Sequence, residues 1–319
     1  MRFATFYAGR VSRLGAKLDD KIVDLNMALA GRLARDGEPR PYALADVLIP
    51  SEMVLFLESG DRAMKDAATV LAEVREWLLA GAEVVGPRGE QVVYAEAEVK
   101  LGPPILRPAK LICAAHNYHD MLAETGIQPP SEPRIFGKYA NAVTGPFDPV
   151  IHPRMTQALG YEAELAFVVG KRCKHVPEAQ AYDVIAGYMA FNDVSASDLT
   201  KKDGQNLRGK SFDTFAPMGP YLVTKDEVPD PHNLGVKLTV NDRVLQNSNT
   251  NQLVYNIPQL VAFCSQVFTL EPGDVVATGC PGGLAKDRNP HTYMKPGDLM
   301  ITEIEGVGTL KNPITAEEI

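Results

Sequence analysis
Two glutamates two residues apart lead an apolar run, Gly160-Tyr161-Glu162-Ala163-Glu164-Leu165-Ala166-Phe167-Val168-Val169-Gly170. The run reads as a strand, whose period of two puts Glu162 and Glu164 on one face, roughly 6.6–7 Å apart. Like charges at the mouth of an apolar strand are costly unless a cation neutralises them. An exposed edge strand would also carry such a pair, because solvated charges cost little. The nearly continuous apolar stretch that follows points instead to a strand buried on both faces. A second apolar run, Ile185–Phe191, ends in Asn192-Asp193 and can deliver a third carboxylate from a neighbouring strand. Three carboxylates without His or Cys suit a hard octahedral ion, Mg²⁺ or Mn²⁺, with water completing the shell.

Further along stands Gly209-Lys210-Ser211-Phe212-Asp213-Thr214. Lys210 could offer a compact cation to a developing enolate or carboxylate beside the ion. A lone lysine is more often a solvated surface group. Ala277-Thr278-Gly279-Cys280-Pro281-Gly282-Gly283 is a tight loop whose amides could hold a carboxylate, or simply turn the chain after a strand. No GK[ST] or GxGxxG accompanies it, which argues against a nucleotide site.

These residues need a scaffold, and the second half of the chain supplies short apolar runs punctuated by Gly and Pro. Leu165–Val169, Val184–Phe191, Tyr221–Val223, Val236–Val240, Val275–Thr278 and Leu299–Ile304 predict a β-rich region with interspersed helices. Leu253, Ile257, Leu260, Val261, Cys264 and Phe268 predict a helix with one buried stripe. The first hundred residues differ. Alternation over Arg2–Tyr7 predicts a strand, and Arg10–Leu14 and Ala16–Asp24 predict hairpin strands turning at Gly15. Ala63, Ala67, Val70, Leu71, Val74, Trp77 and Leu78 follow helical spacing, with Gly81 as its stop. Gly102-Pro103-Pro104 reads as a linker. The expected division is a small N-terminal α+β domain, 1–104, and a catalytic domain, 105–319.

The chain has 319 residues, of which 45% are hydrophobic and 23% charged, as in a soluble globular protein. With 32 basic and 40 acidic side chains, the net charge of −8 argues against nucleic acid or anionic membrane as partner. Val244–Leu270 carries no charge, but its Asn and Gln residues and Pro258 make it buried soluble structure rather than a membrane span. Four scattered cysteines form no CxxC pair, and the N-terminus lacks the long apolar run of a signal peptide. A cytoplasmic location is the default expectation.

Six ordered segments over residues 105–315 resemble the fumarylacetoacetate hydrolase superfamily: YEAELAFVVG, GYMAFNDVSASD, GKSFDTFAPMGP, VNDRVLQNSNT, PGDVVATGCPGG and GDLMITEIEGVGTL. The resemblance implies an α+β class, a mixed β-roll with a smaller N-terminal α+β domain, and a homodimer. It implies Mg²⁺ or Mn²⁺ on Glu162, Glu164 and Asp193, with Lys210 beside them. A small oxo-acid substrate would meet Lys138, Thr214, Gly279 and Cys280.

The departures from the family pattern bear on the reaction. Family lids often read N-Y-x-x-H-x-x-E, whose His and Glu activate water. Here Asn117-Tyr118 leads to Met121 at the His position, while Glu124 keeps the Glu. If the stretch is helical, Asp120 and Glu124 share a face with His116, and either His116 or His119 could rebuild a His–carboxylate pair. The family's W-S-A-R-D-x-Q becomes Val194-Ser195-Ala196-Ser197-Asp198-Leu199-Thr200, so Ser197 and Thr200 replace Arg and Gln. Cys280 stands where many relatives have Thr. Lys201, Lys202 or Arg208 could restore the lost positive charge.

Three readings follow. In the first, Glu124 and a nearby His activate water to cleave a carbon–carbon bond of an acylpyruvate-like 1,3-dicarbonyl carboxylate, leaving a pyruvate-type enolate near Lys210. The second is an isomerase, decarboxylase or hydratase of a 2-oxo acid, which Met121 favours because such chemistry needs no attacking water. The third is a non-catalytic binder that keeps the ion for stability.

Overall fold
The computed structural model describes residues 1–318. Three apolar runs become strands buried along their whole length, Ala163–Val169, Ile185–Asn192 and Ala216–Thr224. With no solvated face they need no polar alternation, and their sequences show none. They lie adjacent and antiparallel in the middle of a twelve-stranded sheet. Beyond Ala163–Val169 the sheet continues through Val275–Ala277, then Leu111–Ala115 in parallel, then Arg134–Lys138. Beyond Ala216–Thr224 it continues through Arg2–Ala8, Val11–Leu18, Lys21–Asp24 and Val93–Ala95. A five-stranded sheet formed by Val150–His152, Gly235–Val240, Arg243–Asn249, Leu299–Ile304 and Gly308–Ala316 packs on the central strands. This is the expected mixed α+β class.

The helices follow their sequence signals. Gly60–Leu79 buries Ala63, Ala67, Val70 and Val74, and Gly81 follows its C-cap with φ of 71°. Ile257–Val267 starts in a capping box between Asn256 and Gln259 and buries Ile257, Leu260, Val261 and Cys264.

Two expectations need correction. Gly15 does not turn a hairpin; it lies inside Val11–Leu18, and the chain reverses at Asp19-Asp20, with Asp19 at φ 55°. A Cβ at Gly15 would stand 2.6 Å from Ile22 Cγ2 and 2.9 Å from Phe6 Cδ1, so close packing is what calls for glycine. Nor is Gly102-Pro103-Pro104 a free linker. It is buried, Gly102 N–H donates to Thr5 O (2.8 Å), and Thr5 Oγ1 donates to Pro104 O (2.9 Å). The large sheet therefore runs across the expected boundary at residue 104; Ile319, the last residue of the expected second domain, lies outside the described residues.

Candidate active site
The register of the two central strands places the acidic residues. Ala163 pairs with Asn192, so Glu162 and Asp193 come together where the strands end, and Asp193 N–H donates to Glu162 O (2.9 Å). Asn192 locks the junction: its Oδ1 accepts Glu162 N–H (3.0 Å) while its Nδ2 donates to Thr302 Oγ1 (2.9 Å) in the smaller sheet. Glu164, inside the strand, is 1% exposed. One of its oxygens accepts Gly279 N–H (2.8 Å), and the other, Oε1, is buried without a partner.

Two lysines surround Asp193. Lys138 Nζ donates to Asp193 Oδ1 (2.5 Å), Val194 O (3.1 Å) and Phe215 O (2.6 Å). Lys210 Nζ donates to Asp193 Oδ2 (2.8 Å), Asp193 O (3.1 Å) and Glu162 Oε1 (2.7 Å). Each ammonium thus spends all three donors on the protein. Burial raises the cost of charge on Asp193, yet the two lysines outweigh it and hold its carboxyl below the usual range. Glu164 goes the other way. Burial, followed by the charges of Asp193 and Glu162, drives its carboxyl well above that range. Burial opposes the charge of Lys210, but Asp193 and Glu162 prevail and keep it an ammonium.

A cavity of about 190 Å³ opens above this floor, lined among others by His116, Met121, Glu162, Ser195, Lys210 and Cys280. Ser195 Oγ donates to Glu162 Oε1 (3.1 Å), and Cys280 Sγ lies 3.3 Å from Glu162 Oε2. Burial and the neighbouring Glu162 and Glu164 push the Cys280 thiol well up. Ser197 and Thr200, the expected replacements for Arg and Gln, also line the cavity.

Several expected roles change. Lys138 has a side chain 0% exposed beneath Asp193, so it supports the floor rather than touching substrate. Thr214 accepts Ile151 N–H (2.8 Å) and is not part of the cavity wall. Gly279 spends its N–H on Glu164, and its φ of 97° brings the chain so near the lid that a Cβ would stand 2.9 Å from Asn117 Cβ. The loop's amides do bind carboxylates, but the protein's own: Gly282 N–H donates to Asp120 and Gly283 N–H to Glu124.

The lid differs most from its expectation. Its helix spans only His119–Thr125, and His116 lies before it at φ 57°, off the expected helical face yet in the cavity wall. Arg134 reaches His116 Nδ1 (3.4 Å), and because a guanidinium can only donate, this contact favours the tautomer with its proton on Nε2. Burial, then Arg134 and Lys286, lowers the His116 pKa and favours the neutral ring. His119 is exposed, and neither it nor Glu124 lines the cavity. Met121 does. Lys201 and Lys202 are exposed away from the wall, and Arg208 pairs with Asp203. Besides Lys210, the wall carries a second cation, Lys286, which no sequence signal singled out.

Residues 110–315 match the fumarylacetoacetate hydrolase C-terminal family. The chain belongs to this family. The mitochondrial oxaloacetate tautomerase fahd2 of Xenopus laevis is 39% identical over 306 residues, covering 95% of this chain and 86% of that protein. The human mitochondrial oxaloacetate tautomerase FAHD2B is 40% identical over 271 residues, covering 84% and 81%. Among solved structures, maleylpyruvate hydrolase from Sphingobium sp. SYK-6, in complex with manganese(II) and pyruvate, superposes with a TM-score of 0.72 at 29% identity, covering 100% of both chains. These family members are enzymes, and one holds a divalent ion. The two tautomerases are described as mitochondrial, so they lend no support to the cytoplasmic expectation. Among the described residues, no helix is long and apolar enough to cross a membrane.

The donor set fits a divalent cation. Oxygens of Glu162 and Glu164 and the Cys280 sulfur lie within 4.8 Å of one another. Glu164 Oε1 is buried with no hydrogen-bond partner in the protein, an acceptor that a bound cation would satisfy while offsetting the burial that raises its pKa.

Proposed function
We propose that this family member catalyses keto–enol tautomerisation of a small 2-oxo dicarboxylate of the oxaloacetate class, the second of the three readings, rather than water-driven cleavage of an acylpyruvate. The observation that carries it is the lid: Met121 faces the cavity, and Glu124 is held outside by Gly283 N–H. A hydrolase needs a base poised on an attacking water, whereas tautomerisation adds no water and breaks no C–C bond, and needs only an acid/base group or solvent to take the enol proton and return one to carbon. The modest volume suits an acid of a few carbons, lying below the roughly 300–1,000 Å³ of larger ligand pockets. The names of the tautomerase relatives agree with this reading.

Glu162 and Glu164 would hold the ion, with Asp193 the expected third carboxylate and Mg²⁺ or Mn²⁺ the expected occupant. A bound divalent ion supplies Lewis-acid polarisation of the substrate's oxo and carboxylate oxygens. The rest belongs to the chain. Lys210, committed to Glu162 and Asp193, holds those carboxylates in place and adds fixed positive charge to the cavity wall. Neutral His116 holds its proton at Nε2 and can donate it as a hydrogen bond to the enolate oxygen. Lys286 gives the wall a cation for the substrate's second carboxylate.

The test gives Mn²⁺-supplemented protein the enol form of oxaloacetate and, separately, an acylpyruvate. Decay of enol absorbance to the keto acid without release of pyruvate is expected. Faster release of a pyruvate-type product from the acylpyruvate overturns the proposal in favour of the hydrolytic reading.

A further inference from the structure
We infer that Cys280 is itself a metal ligand, and that the site prefers borderline and soft ions such as Zn²⁺, Co²⁺ or Cd²⁺ to Mg²⁺. The inference rests on the metal reading above and specifies the class of ion.

Three observations carry it. First, among the described residues Glu162, Glu164 and Cys280 bring possible ligand atoms within 4.8 Å of one another. Second, both side-chain oxygens of Asp193, the expected third ligand, are already held by buried lysines. Third, Glu164 Oε1 is buried with no partner, so a strong acceptor is left over beside the thiol. Spacing agrees as well. Donors about 2.0–2.3 Å from one tetrahedral ion stand roughly 3.5 Å apart, and Cys280 Sγ is 3.3 Å from Glu162 Oε2.

Sulfur changes which ion gains most. Mg²⁺ takes oxygen ligands and keeps its waters, whereas thiolate favours zinc and softer ions. On ligation the thiol proton leaves to solvent as a sulfur lone pair forms the bond to the ion, with no change of oxidation state. Backbone positions the sulfur: Thr278, two residues earlier, is tied to Leu165 O through its amide (3.0 Å) and Oγ1 (2.8 Å). The loop therefore hangs from the same strand that carries Glu164.

Cobalt separates the inference from the reading beneath it. The metal-depleted full chain is titrated with Co²⁺ while visible ligand-field bands and near-ultraviolet thiolate-to-cobalt charge transfer are recorded. Wild type is expected to show both. Cys280→Ser, and Cys280→Thr as a second variant, are expected to lose the charge-transfer band and keep the visible ones. Buried Cys113 lies outside the grouping, and Cys113→Ala is expected to keep both. Visible bands without charge transfer in wild type, or a charge-transfer band that survives both Cys280 substitutions, overturns the inference and leaves the carboxylate metal site standing. Failure of wild type to bind either Co²⁺ or Mn²⁺ in equilibrium dialysis overturns both.

Discussion

Around Asp193 each charged group is matched. Both carboxylate oxygens meet an ammonium, both lysines use every donor, and the flanking strands are buried end to end. The lid above is a seven-residue helix whose His119, Ala123 and Glu124 are exposed. It is tied down through Asn117, which exchanges hydrogen bonds with Tyr255 and donates to Thr278 O (2.8 Å). A floor of buried, saturated charge tolerates little change, because losing one partner exposes the full desolvation cost of the other. A short exposed helix can be altered with little effect on the fold. A family can thus hold its ion-binding floor constant and change its reaction at the lid.

The floor offers the largest effect. Lys138→Met leaves Asp193 with one cation and strips the donor from Val194 O and Phe215 O. Breaking a buried pair in this way costs about 3–5 kcal/mol, to be read from denaturant unfolding. A loss under about 1 kcal/mol would show that the floor is not built as a saturated network.

His116 belongs to the wall between the two regions. His116→Asn removes the proposed donor at Nε2, and kcat for enol-oxaloacetate is expected to fall about 10²–10³-fold. Thermal unfolding should barely move, since the half-buried ring's one polar contact with the protein is a long one, 3.4 Å. Unchanged turnover would take His116 out of the reaction and shift attention to Ser195 and Thr200.

The ion and pH act together on Glu164. Its folded-state pKa is raised by burial and by Asp193 and Glu162, so the folded chain binds the proton more tightly than the unfolded one. That contribution is present in acid and lost as pH rises through the raised value. Asp193, lowered by its lysines, runs the opposite way and loses its contribution in acid. Comparing wild type with Glu164→Gln, which cannot titrate, isolates the first effect. Ion-free wild type should lose stability relative to the variant as pH climbs towards neutral. An ion at roughly a hundred times its Kd should restore about 2.7 kcal/mol to wild type and little to Glu164→Gln. Equal stabilisation of both proteins would place the ion elsewhere.

The same contrast explains what the sequence could disclose. Glu162, Glu164 and Asp193 were legible because period-two geometry and an apolar run ending in Asp are local signals that a fully buried strand obeys. Lys138 and the fate of the loop amides were not, because their partners lie far along the chain. Gly279, Gly282 and Gly283 meet Glu164, Asp120 and Glu124 across more than a hundred residues. The i, i+4, i+8 face drawn through His116 failed because the chain takes a left-handed turn there before the helix begins. Lys286, beside Asp287 and Arg288, reads as ordinary surface charge until the fold brings it to the cavity wall.

The smallest expected effect is the most discriminating. Glu124 is exposed, its carboxylate accepts Gly283 N–H, and it stays out of the cavity wall. Glu124→Gln keeps a carbonyl acceptor for that amide and removes only a solvated charge. Stability should stay within about 0.5 kcal/mol, as for most surface changes. If the reaction is tautomerisation, turnover of enol-oxaloacetate should be little altered. If Glu124 instead swings inward over bound substrate to activate water, the same change removes a general base, and turnover of an acylpyruvate falls by about 10²–10⁴. Measuring both substrates on one variant therefore asks whether the lid takes part in the chemistry or only closes over it. A large loss on either would mean that the short helix, and not the floor alone, decides what this scaffold does.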